Sequence, residues 1–475
     1  MLFNSFLFLI FFLIVYLLYH NTGEKFRKPI LFISSILFYG SWDIIAFDSV
    51  IPRFLIHFLT VITINFFFLK WMEHSKTQES KKVPLTIAIV LNVLNIAFFK
   101  YFYFLAEIIG LLIGKPNLKS VAVENISIIL PIAISFYTFQ IIAYLVDYYR
   151  GMISEKNSFF DFAIFILFFP QQLAGPILRA NEFLPQLNSK RVLTDNQITE
   201  GIGLVGFGLL KKVVLADSMA RILDPIFANP SAYSGKAILC ALIGFFFQLW
   251  GDFSGYSDIA RGCGKLLGFE LPKNFTGPFF SQSFREMWTR WHITLSSFLR
   301  DYIYFPLGGS KGSSFRTDFN NLVTMFIAGV WHGANWNYVI WGLVIGGSLV
   351  FERHILNRFH FWAESKTKAA VLVRFISISL FWFLIADIFR VSSLKDFAIM
   401  IERTFYWMSG EKVQYEEFGY LCVFFFILHA IEYNPSLVTS RIKKPIVAIV
   451  ITSILFLFVI STLSNRQVQF FYFQF

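Results

Sequence analysis

Long, uninterrupted apolar segments constrain the fold of this chain more than any other feature of its sequence. They lie near residues 3–19, 29–46, 54–70, 84–99, 101–114, 126–146, 200–216, 236–251, 319–331, 336–351, 368–389, 417–432 and 445–463. A further apolar region at 158–180 is broken by Pro170, Gly175 and Pro176. Inside a bilayer every backbone polar group must be bonded within the protein, and helices meet that need. The pattern predicts roughly 11 to 13 transmembrane or re-entrant helices.

The composition points to the same fold class. Hydrophobic residues make up 56% of the 475 residues and charged residues only 15%, with a mean hydropathy of +0.61. Water-soluble domains carry about 25% charged residues, so this apolar surface needs lipid around it. Because the runs are continuous rather than alternating, they favour helices over a β-barrel. We predict an all-α polytopic membrane protein, built as a single integral membrane domain over residues 1–475.

The first apolar segment is predicted to stay in the mature protein as a helix. The opening residues carry no positive charge, and no small-residue cleavage site follows the segment. Basic residues at 25–28 and 70–82 flank the second and third segments on the same side. The positive-inside bias therefore places those two loops in the cytoplasm and the N-terminus outside.

The chain is basic, with a net charge of +11 and an isoelectric point near 9.4. Its basic residues form short clusters between the apolar segments: Lys25, Arg27 and Lys28; Lys70, Lys76, Lys81 and Lys82; Lys211 and Lys212; Arg441, Lys443 and Lys444. This distribution is typical of loops that flank a membrane, and it argues against a nucleic-acid partner. Membrane lipids and an anionic donor in the cytosol fit it instead.

The sequence offers no motif for a metal or a bound cofactor. Cys240, Cys263 and Cys422 are scattered, and no Cys-x-x-Cys pair occurs. The glycines at 262–268 lack the spacing and the preceding strand of a P-loop. No Gly-x-Ser-x-Gly elbow is present, so a serine-hydrolase triad is not supported. We predict no metal site and no bound cofactor.

His332 is the first candidate catalytic residue, in a functional centre that we place at about 250–345. It ends one apolar stretch and precedes another, and an imidazole at that depth is costly without a role or a hydrogen-bond partner. A lone histidine there can also be a structural bridge between helices. Its neighbours Trp331, Asn335 and Trp336 form a polar and aromatic cluster that favours function, and we mark them as candidate substrate-binding residues.

His292 is the second candidate, within the polar and aromatic segment 285–302. At helical spacing Trp288, His292 and Ser296 share one face, and Trp291 lies on a neighbouring one. The segment is therefore predicted to be an amphipathic or re-entrant helix with one face turned to the active site. The alternative is an interfacial helix with an aromatic belt, and both descriptions are compatible. Trp288, Trp291 and Ser296 join the candidate substrate-binding residues.

Asp252 and Tyr256 follow a long apolar segment and lie one helical turn apart. We mark both as further candidate substrate-binding residues. Asp252 and Asp258 are weak metal candidates, since no third ligand is evident nearby. Ion pairs with arginines are the favoured structural interpretation of the two carboxylates; the arginines in question are Arg261, Arg285 and Arg290.

Several motifs in a fixed order together resemble the membrane-bound O-acyltransferase (MBOAT) family. They are Leu-Pro-Ile-Ala-Ile-Ser-Phe-Tyr-Thr-Phe-Gln (130–140), Val-Asp-Tyr-Tyr-Arg-Gly (146–151), Phe-Phe-Pro-Gln-Gln-Leu-Ala-Gly-Pro-Ile-Leu-Arg (168–179), Phe-Ser-Gly-Tyr-Ser-Asp-Ile-Ala (253–260), Pro-Lys-Asn-Phe (272–275), Trp-His-Ile-Thr-Leu-Ser (291–296), Val-Trp-His-Gly-Ala-Asn-Trp (330–336) and Phe-Tyr-Phe-Gln-Phe (471–475). Within the family, the resemblance is to the branch of bacterial alginate O-acetylation proteins (AlgI-like).

The resemblance implies a multi-helix shell around a central tunnel, in which an acyl group crosses the bilayer of the bacterial inner membrane. It implies that His332 matches the family's catalytic histidine and His292 a second active-site histidine. The implied donor is a cytosolic thioester, acetyl-CoA or another acyl thioester. The implied final acceptor is a hydroxyl of an exported, alginate-like polysaccharide. A separate periplasmic SGNH-type acetylase is the implied partner.

The chemistry of histidine agrees, because its unperturbed pKa suits a general base near neutrality. On this hypothesis His332 takes the acceptor proton, and His292, Asn335 or a tryptophan orients the acyl group or stabilises the oxyanion. Two alternatives remain at this point: D-alanyl transfer to teichoic acid within the same family, and a small-solute transporter. The absence of repeated halves with paired broken helices argues against the transporter.

Overall fold

The computed structural model describes residues 3, 5–47, 52–153, 157–173, 175–189 and 192–439. These residues form helices and loops, and the β-structure among them is limited to an isolated bridge between Tyr233 and Glu411. The all-α fold predicted from the sequence is thereby confirmed. The predicted apolar segment at 445–463, the basic cluster at 441–444 and the motif at 471–475 lie outside the described residues.

The described α-helices follow one another with short connections. They are α1 (Phe6–Asn21), α2 (Glu24–Phe47), α3 (Arg53–His74), α4 (Gln78–Ile96), α5 (Phe102–Leu112), α6 (Leu118–Asn125), α7 (Ile134–Tyr149), α8 (Phe159–Leu167), α9 (Ala180–Asn188), α10 (Asp195–Leu209), α11 (Asp217–Ala228), α12 (Gly235–Leu266), α13 (Phe284–Arg290), α14 (Ile293–Leu299), α15 (Ser314–His332), α16 (Trp336–His354), α17 (His360–Ala363), α18 (Lys368–Arg390), α19 (Leu394–Phe405), α20 (Tyr415–Tyr433) and α21 (Ser436–Thr439). π-Helical turns occur at Ala97–Tyr101, Leu210–Ala216 and Arg300–Tyr304.

Five helical stretches among the described residues are long and apolar enough to cross a membrane. They are Arg53–His74, Gln78–Leu112, Gly235–Leu266, Trp336–Arg358 and Lys368–Arg390. The stretch Gln78–Leu112 joins the apolar segments at 84–99 and 101–114, which the sequence pattern separates. The π-helical turn at Ala97–Tyr101 continues the helix between them. Each stretch bonds its own backbone internally, as the hydrocarbon interior requires. The protein is a multi-pass membrane protein.

The described residues form two compact units, one within 1–201 and 260–272, the other within 202–259 and 273–439. In the first unit, α3 packs against α4, α4 against α7, and α2 against α8. Asn65 on α3 and Asn92 on α4 exchange amide hydrogen bonds of 2.7 and 3.3 Å. Such pairs satisfy polar groups that lipid cannot. The single domain over the whole chain stays a prediction.

The second unit is organised around the antiparallel pair of α15 and α16, whose backbones approach closely. A Cβ atom on Gly329 would lie 2.2 Å from the carbonyl oxygen of Tyr338, and one on Gly342 would lie 2.4 Å from that of Met325. Only glycine permits this approach, because any side chain would collide with backbone. Helices α13 and α18 also pack against α16. The end of α15, where His332 lies, is thereby enclosed by neighbouring helices.

The assignment of Lys211 and Lys212 to a membrane-flanking loop is wrong. Both lie in the π-helical turn at Leu210–Ala216, where Lys211 is fully buried and Lys212 is 3% exposed. The Nζ atom of Lys211 lies 2.7 Å from Asp258 and 2.6 Å from Glu432. In the sequence, two lysines between apolar segments are typical of a loop. In the structure, Asp258 and Glu432 make the burial of Lys211 tolerable, since a buried charge needs a partner.

Candidate active site

His332 is the last residue of α15, in the second unit. The helix ends there because Gly333 is extended, with φ at −168°, and the Asn335 side chain caps the following helix, α16. His332 is 5% exposed. Between ring centroids, it lies 4.8 Å from Trp331, 5.1 Å from Trp341 and 5.1 Å from Phe389. The imidazole is therefore surrounded by aromatic rings.

A small cavity of about 20 Å³ adjoins His332. Its wall also contains Phe246, Leu249, Trp291, Trp341, Trp382, Ala386 and Phe389. These residues come from α12, the turn before α14, α16 and α18. The volume is that of a water molecule or a group of similar size. Among the residues lining this cavity, His332 is the one that can exchange a proton near neutral pH.

His292 lies in a break between two short helices, so the continuous helix predicted for this segment is wrong. Helix α13 ends at Arg290 and α14 begins at Ile293. His292 has φ and ψ of 42° and 53°, in the left-handed region. That conformation is unfavourable for a residue with a Cβ atom, so neighbouring contacts must hold it. Helical spacing therefore does not describe how Trp288, His292 and Ser296 are arranged.

The His292 side chain is almost completely enclosed, at 1% exposure. Its ring lies 4.6 Å from that of Phe253 and 6.4 Å from that of Trp331, between centroids. Within the described part of the chain, neither ring nitrogen has a hydrogen-bond partner. Burial lowers the pKa of His292 to about 3, because the charged form is poorly solvated there. The imidazole is consequently neutral at physiological pH, with one donor and one acceptor available.

The indole of Trp331 contacts both histidine rings, so it connects the two candidate residues. Trp291 lines the cavity directly. Trp288 lies behind the wall, 6.1 Å from Trp341 and 5.6 Å from Trp382 between ring centroids. Three of the tryptophans singled out from the sequence therefore lie in or beside the same aromatic enclosure.

The other candidates occupy different positions. Trp336 is 41% exposed and begins α16, and the Asn335 side chain is occupied as the cap of that helix. The Ser296 hydroxyl donates to the carbonyl oxygen of His292 at 3.2 Å. Asp252 forms an ion pair of 2.6 Å with Lys212. The wall of the His332 cavity contains none of these four residues.

Tyr256 is buried, at 3% exposure, on α12, and it is also absent from the cavity wall. The carboxylates at 252 and 258 have lysine partners that the sequence did not indicate: Asp252 with Lys212 and Asp258 with Lys211. Among the described residues, no group of three or more His, Cys, Asp or Glu side chains is placed to hold a metal ion.

Sequence reasoning missed most of the cavity wall. Trp382, Ala386 and Phe389 lie on α18, whose largely apolar sequence gives little distinction between a face toward lipid and a face toward a cavity. Their spacing of four and three residues does place them on one helical face. An unusual tryptophan in such a stripe was the available signal. Trp341 on α16 also lies in the cavity wall, and sequence reasoning missed it in the same way.

Comparison with known proteins places these residues in a family. Residues 152–394 match the model of the membrane-bound O-acyltransferase family, MBOAT. The matched range contains both candidate histidines and the whole cavity wall.

The names of individual relatives describe related acyl-transfer activities. "Probable alginate O-acetylase AlgI" of Pseudomonas aeruginosa is 39% identical over 355 residues, covering 74% of this chain and 66% of the relative. "Peptidoglycan O-acetyltransferase" of Helicobacter pylori is 34% identical over 417 residues, covering 80% of this chain and 76% of the relative. "Teichoic acid D-alanyltransferase" of Streptococcus thermophilus is 29% identical over 234 residues, covering 46% and 56%.

Proposed function

The chain belongs to the membrane-bound O-acyltransferase family, and on that premise we propose that it O-acetylates an exported cell-envelope polysaccharide. The acyl group is taken from a cytosolic thioester, acetyl-CoA or a related donor, and passed to a hydroxyl. The observation that carries this proposal is His332 in the wall of an aromatic-lined cavity of about 20 Å³. The aromatic lining places apolar surface beside the imidazole, which suits the methyl group of a small acyl chain.

In the proposed reaction His332 is the general base. Its neutral ring nitrogen accepts the proton of the acceptor hydroxyl as the oxygen attacks the thioester carbonyl. A carbon–oxygen bond forms and the carbon–sulfur bond breaks. The proton taken by His332 then passes to the departing thiolate, which leaves as free thiol. Proton, acyl group and leaving group are thus accounted for without a further reactant.

His292 is proposed to stabilise the oxyanion of the tetrahedral intermediate. A neutral, buried imidazole with an available N–H donor costs little reorganisation when charge develops nearby, which is how such donors contribute most. Its contact with Trp331, which also contacts His332, supports a shared site. We propose His292 rather than Asn335 for this role, because the His292 ring contacts Trp331 beside His332.

The proposed acceptor rests on the relatives' names, and the proposed partner rests on the resemblance to AlgI-like proteins. Relatives named for alginate and peptidoglycan O-acetylation support a polysaccharide acceptor, and they align with more of this chain than the relative named for teichoic acid. We place the protein in the bacterial inner membrane, with its donor in the cytosol. A periplasmic SGNH-type acetylase is the proposed partner that completes the transfer.

A thiol-release assay on membranes containing the full chain tests this function. We expect acetyl-CoA to yield free thiol at a rate that depends on the protein and on His332, with label from the acetyl group recovered in envelope polymer. Labelled D-alanine in the polymer would instead support the alternative within the family. Accumulation of a solute without thiol release would contradict acyl transfer altogether.

A further inference from the structure

The turn that contains Trp291 and His292 is held by a neighbouring loop, residues 272–277. Before the turn, the Thr276 amide donates to the carbonyl oxygen of Arg290 at 3.1 Å. After the turn, the Ile293 amide donates to the carbonyl oxygen of Asn274 at 3.0 Å. The loop thus fixes the backbone on both sides of two residues, one that lines the cavity and one proposed to stabilise the oxyanion.

Asn274 makes more of these contacts than any other residue in the loop. Its Oδ1 atom accepts from the Thr294 hydroxyl at 2.6 Å and from the Thr294 amide at 3.3 Å. Its Nδ2 group donates to the Ser257 hydroxyl on α12 at 3.2 Å. Asn274 is 1% exposed. Both ends of the amide are therefore used, and they connect the first turn of α14 to α12.

These contacts oppose a conformation that the local sequence favours. The spacing of Trp288, His292 and Ser296 fits a continuous helix, whereas His292 adopts a left-handed conformation with φ of 42°. A left-handed residue with a Cβ atom persists only where its surroundings over-determine it. Without Asn274, the segment is free to relax toward a continuous helix, which would turn the His292 ring away from Phe253 and Trp331.

We propose that Asn274 is a positioning residue that acts through His292. It holds the left-handed turn so that the neutral imidazole stays beside Trp331, in the site that also contains His332. This inference rests on the proposed function, because it takes His292 to act in acyl transfer. Asn274 itself needs no contact with substrate.

A double-mutant cycle tests the inference in membranes that supply the acceptor and contain known amounts of the full-length protein. Asn274→Ala is expected to lower kcat for thiol release from acetyl-CoA by about 10- to 100-fold, with the donor KM unchanged, because a catalytic group is displaced. In the His292→Ala background the same substitution is expected to cost less than about twofold, since the group it positions is gone. Ser257→Ala, which removes only the distal contact, should give a smaller loss with the same dependence on His292.

Two variants separate positioning from general destabilisation. Asn320→Ala also removes a buried amide, one that donates to the Gly309 carbonyl oxygen at 2.9 Å, and its effect should be the same with or without His292. Asn274→Asp keeps acceptor oxygens for Thr294 and offers one to the Ser257 hydroxyl, so it should restore much of kcat. If Asn274→Ala lowered kcat equally in the wild-type and His292→Ala proteins, the positioning role of Asn274 would be wrong. The proposed function would be unaffected by that result. An unchanged kcat in His292→Ala would overturn the role of His292, and the inference with it.

Discussion

Two buried polar regions of the second unit, the Lys211 cluster and the His292 turn, are equally enclosed but differently satisfied. Lys211 is fully buried and donates to Ser254, Asp258 and Glu432 at 2.7, 2.7 and 2.6 Å. His292 is 1% exposed, and among the described residues neither of its ring nitrogens has a hydrogen-bond partner. A buried polar group whose hydrogen bonds are all made within the protein helps to hold a fold together. A buried imidazole without a partner among the described side chains has a donor and an acceptor that a substrate can use.

The comparison extends to the neighbours of each group. Glu432, which pairs with Lys211, also accepts from the Trp250 indole at 3.1 Å and from the Gly277 amide at 3.0 Å. The cluster therefore connects α12, α20 and the loop at 272–277. Around His332 and His292 the neighbours are aromatic rings instead. We expect substitutions in the first region to change stability and substitutions in the second to change turnover.

The largest expected effect is on catalysis at His332. His332→Gln keeps a polar side chain of similar size but removes the base, so turnover should fall by about 10²- to 10⁴-fold with the melting temperature retained. Thiol release and thermal unfolding of the same purified sample measure both quantities. His354→Gln is the matched control, since His354 contacts Asp318 rather than the cavity. Comparable losses in the two variants would contradict the assignment.

The opposite outcome is expected at Lys211. Lys211→Met leaves Asp258 and Glu432 without their cation, and breaking a buried pair in this way costs about 3–5 kcal/mol of unfolding free energy. The protein that does fold should keep the wild-type kcat per folded molecule. Thermal unfolding in detergent is the measurement, with the exposed Lys236 changed to Met as control. A stable Lys211→Met protein would show that this cluster is not what holds the helices.

Acyl size should respond to the wall of the cavity. Trp382 is 5% exposed and belongs to the wall, so Trp382→Ala should admit a longer acyl chain. We expect the ratio of butyryl to acetyl transfer to rise by about tenfold or more, because each methylene accommodated is worth that much. Competition between the two thioesters measures the ratio. Trp71→Ala, on the half-exposed surface of α3, should leave it unchanged.

The smallest expected effect is a pH dependence of stability. In the unfolded chain a histidine binds a proton below pH 6.5, whereas burial lowers the pKa of His292 to about 3 in the folded protein. The unfolded state thus binds more protons, and stability falls as pH drops from 6.5, by about 1 kcal/mol per pH unit. His292→Gln should flatten the melting-temperature profile between pH 6.5 and 5. Parallel profiles for the two proteins would contradict this.

The sequence was sufficient for the fold class, and it singled out His332 as a candidate catalytic residue. Long apolar segments determine helices in a bilayer, and His332 is conspicuous because an imidazole at that depth is costly. The buried state of Lys211 could not be predicted, because its carboxylate partners lie 47 and 221 residues away along the chain. The same limit applies to the left-handed turn at His292, because the residues that follow it, Ile293 and Thr294, donate hydrogen bonds to Asn274 in another loop.

The cavity wall was missed for a different reason. Water-soluble proteins distinguish inside from outside by polarity, but in α18 the face toward Trp341 and the face toward lipid are both apolar. Beyond the spacing of Trp382 and Phe389, the tryptophan itself was the available signal. The family motifs identified segments that contain polar residues, such as Trp291 to Ser296. They did not identify the wall residues on a largely apolar helix such as α18.

Mass spectrometry of envelope glycans from cells carrying wild-type protein or His332→Ala tests the central claim most directly. We predict that one acetyl-sized mass increment on an envelope polysaccharide is present with the wild type and absent with His332→Ala, at equal levels of the protein in the membrane. An identical glycan profile in the two strains would contradict the account that acetylation of that polymer requires His332.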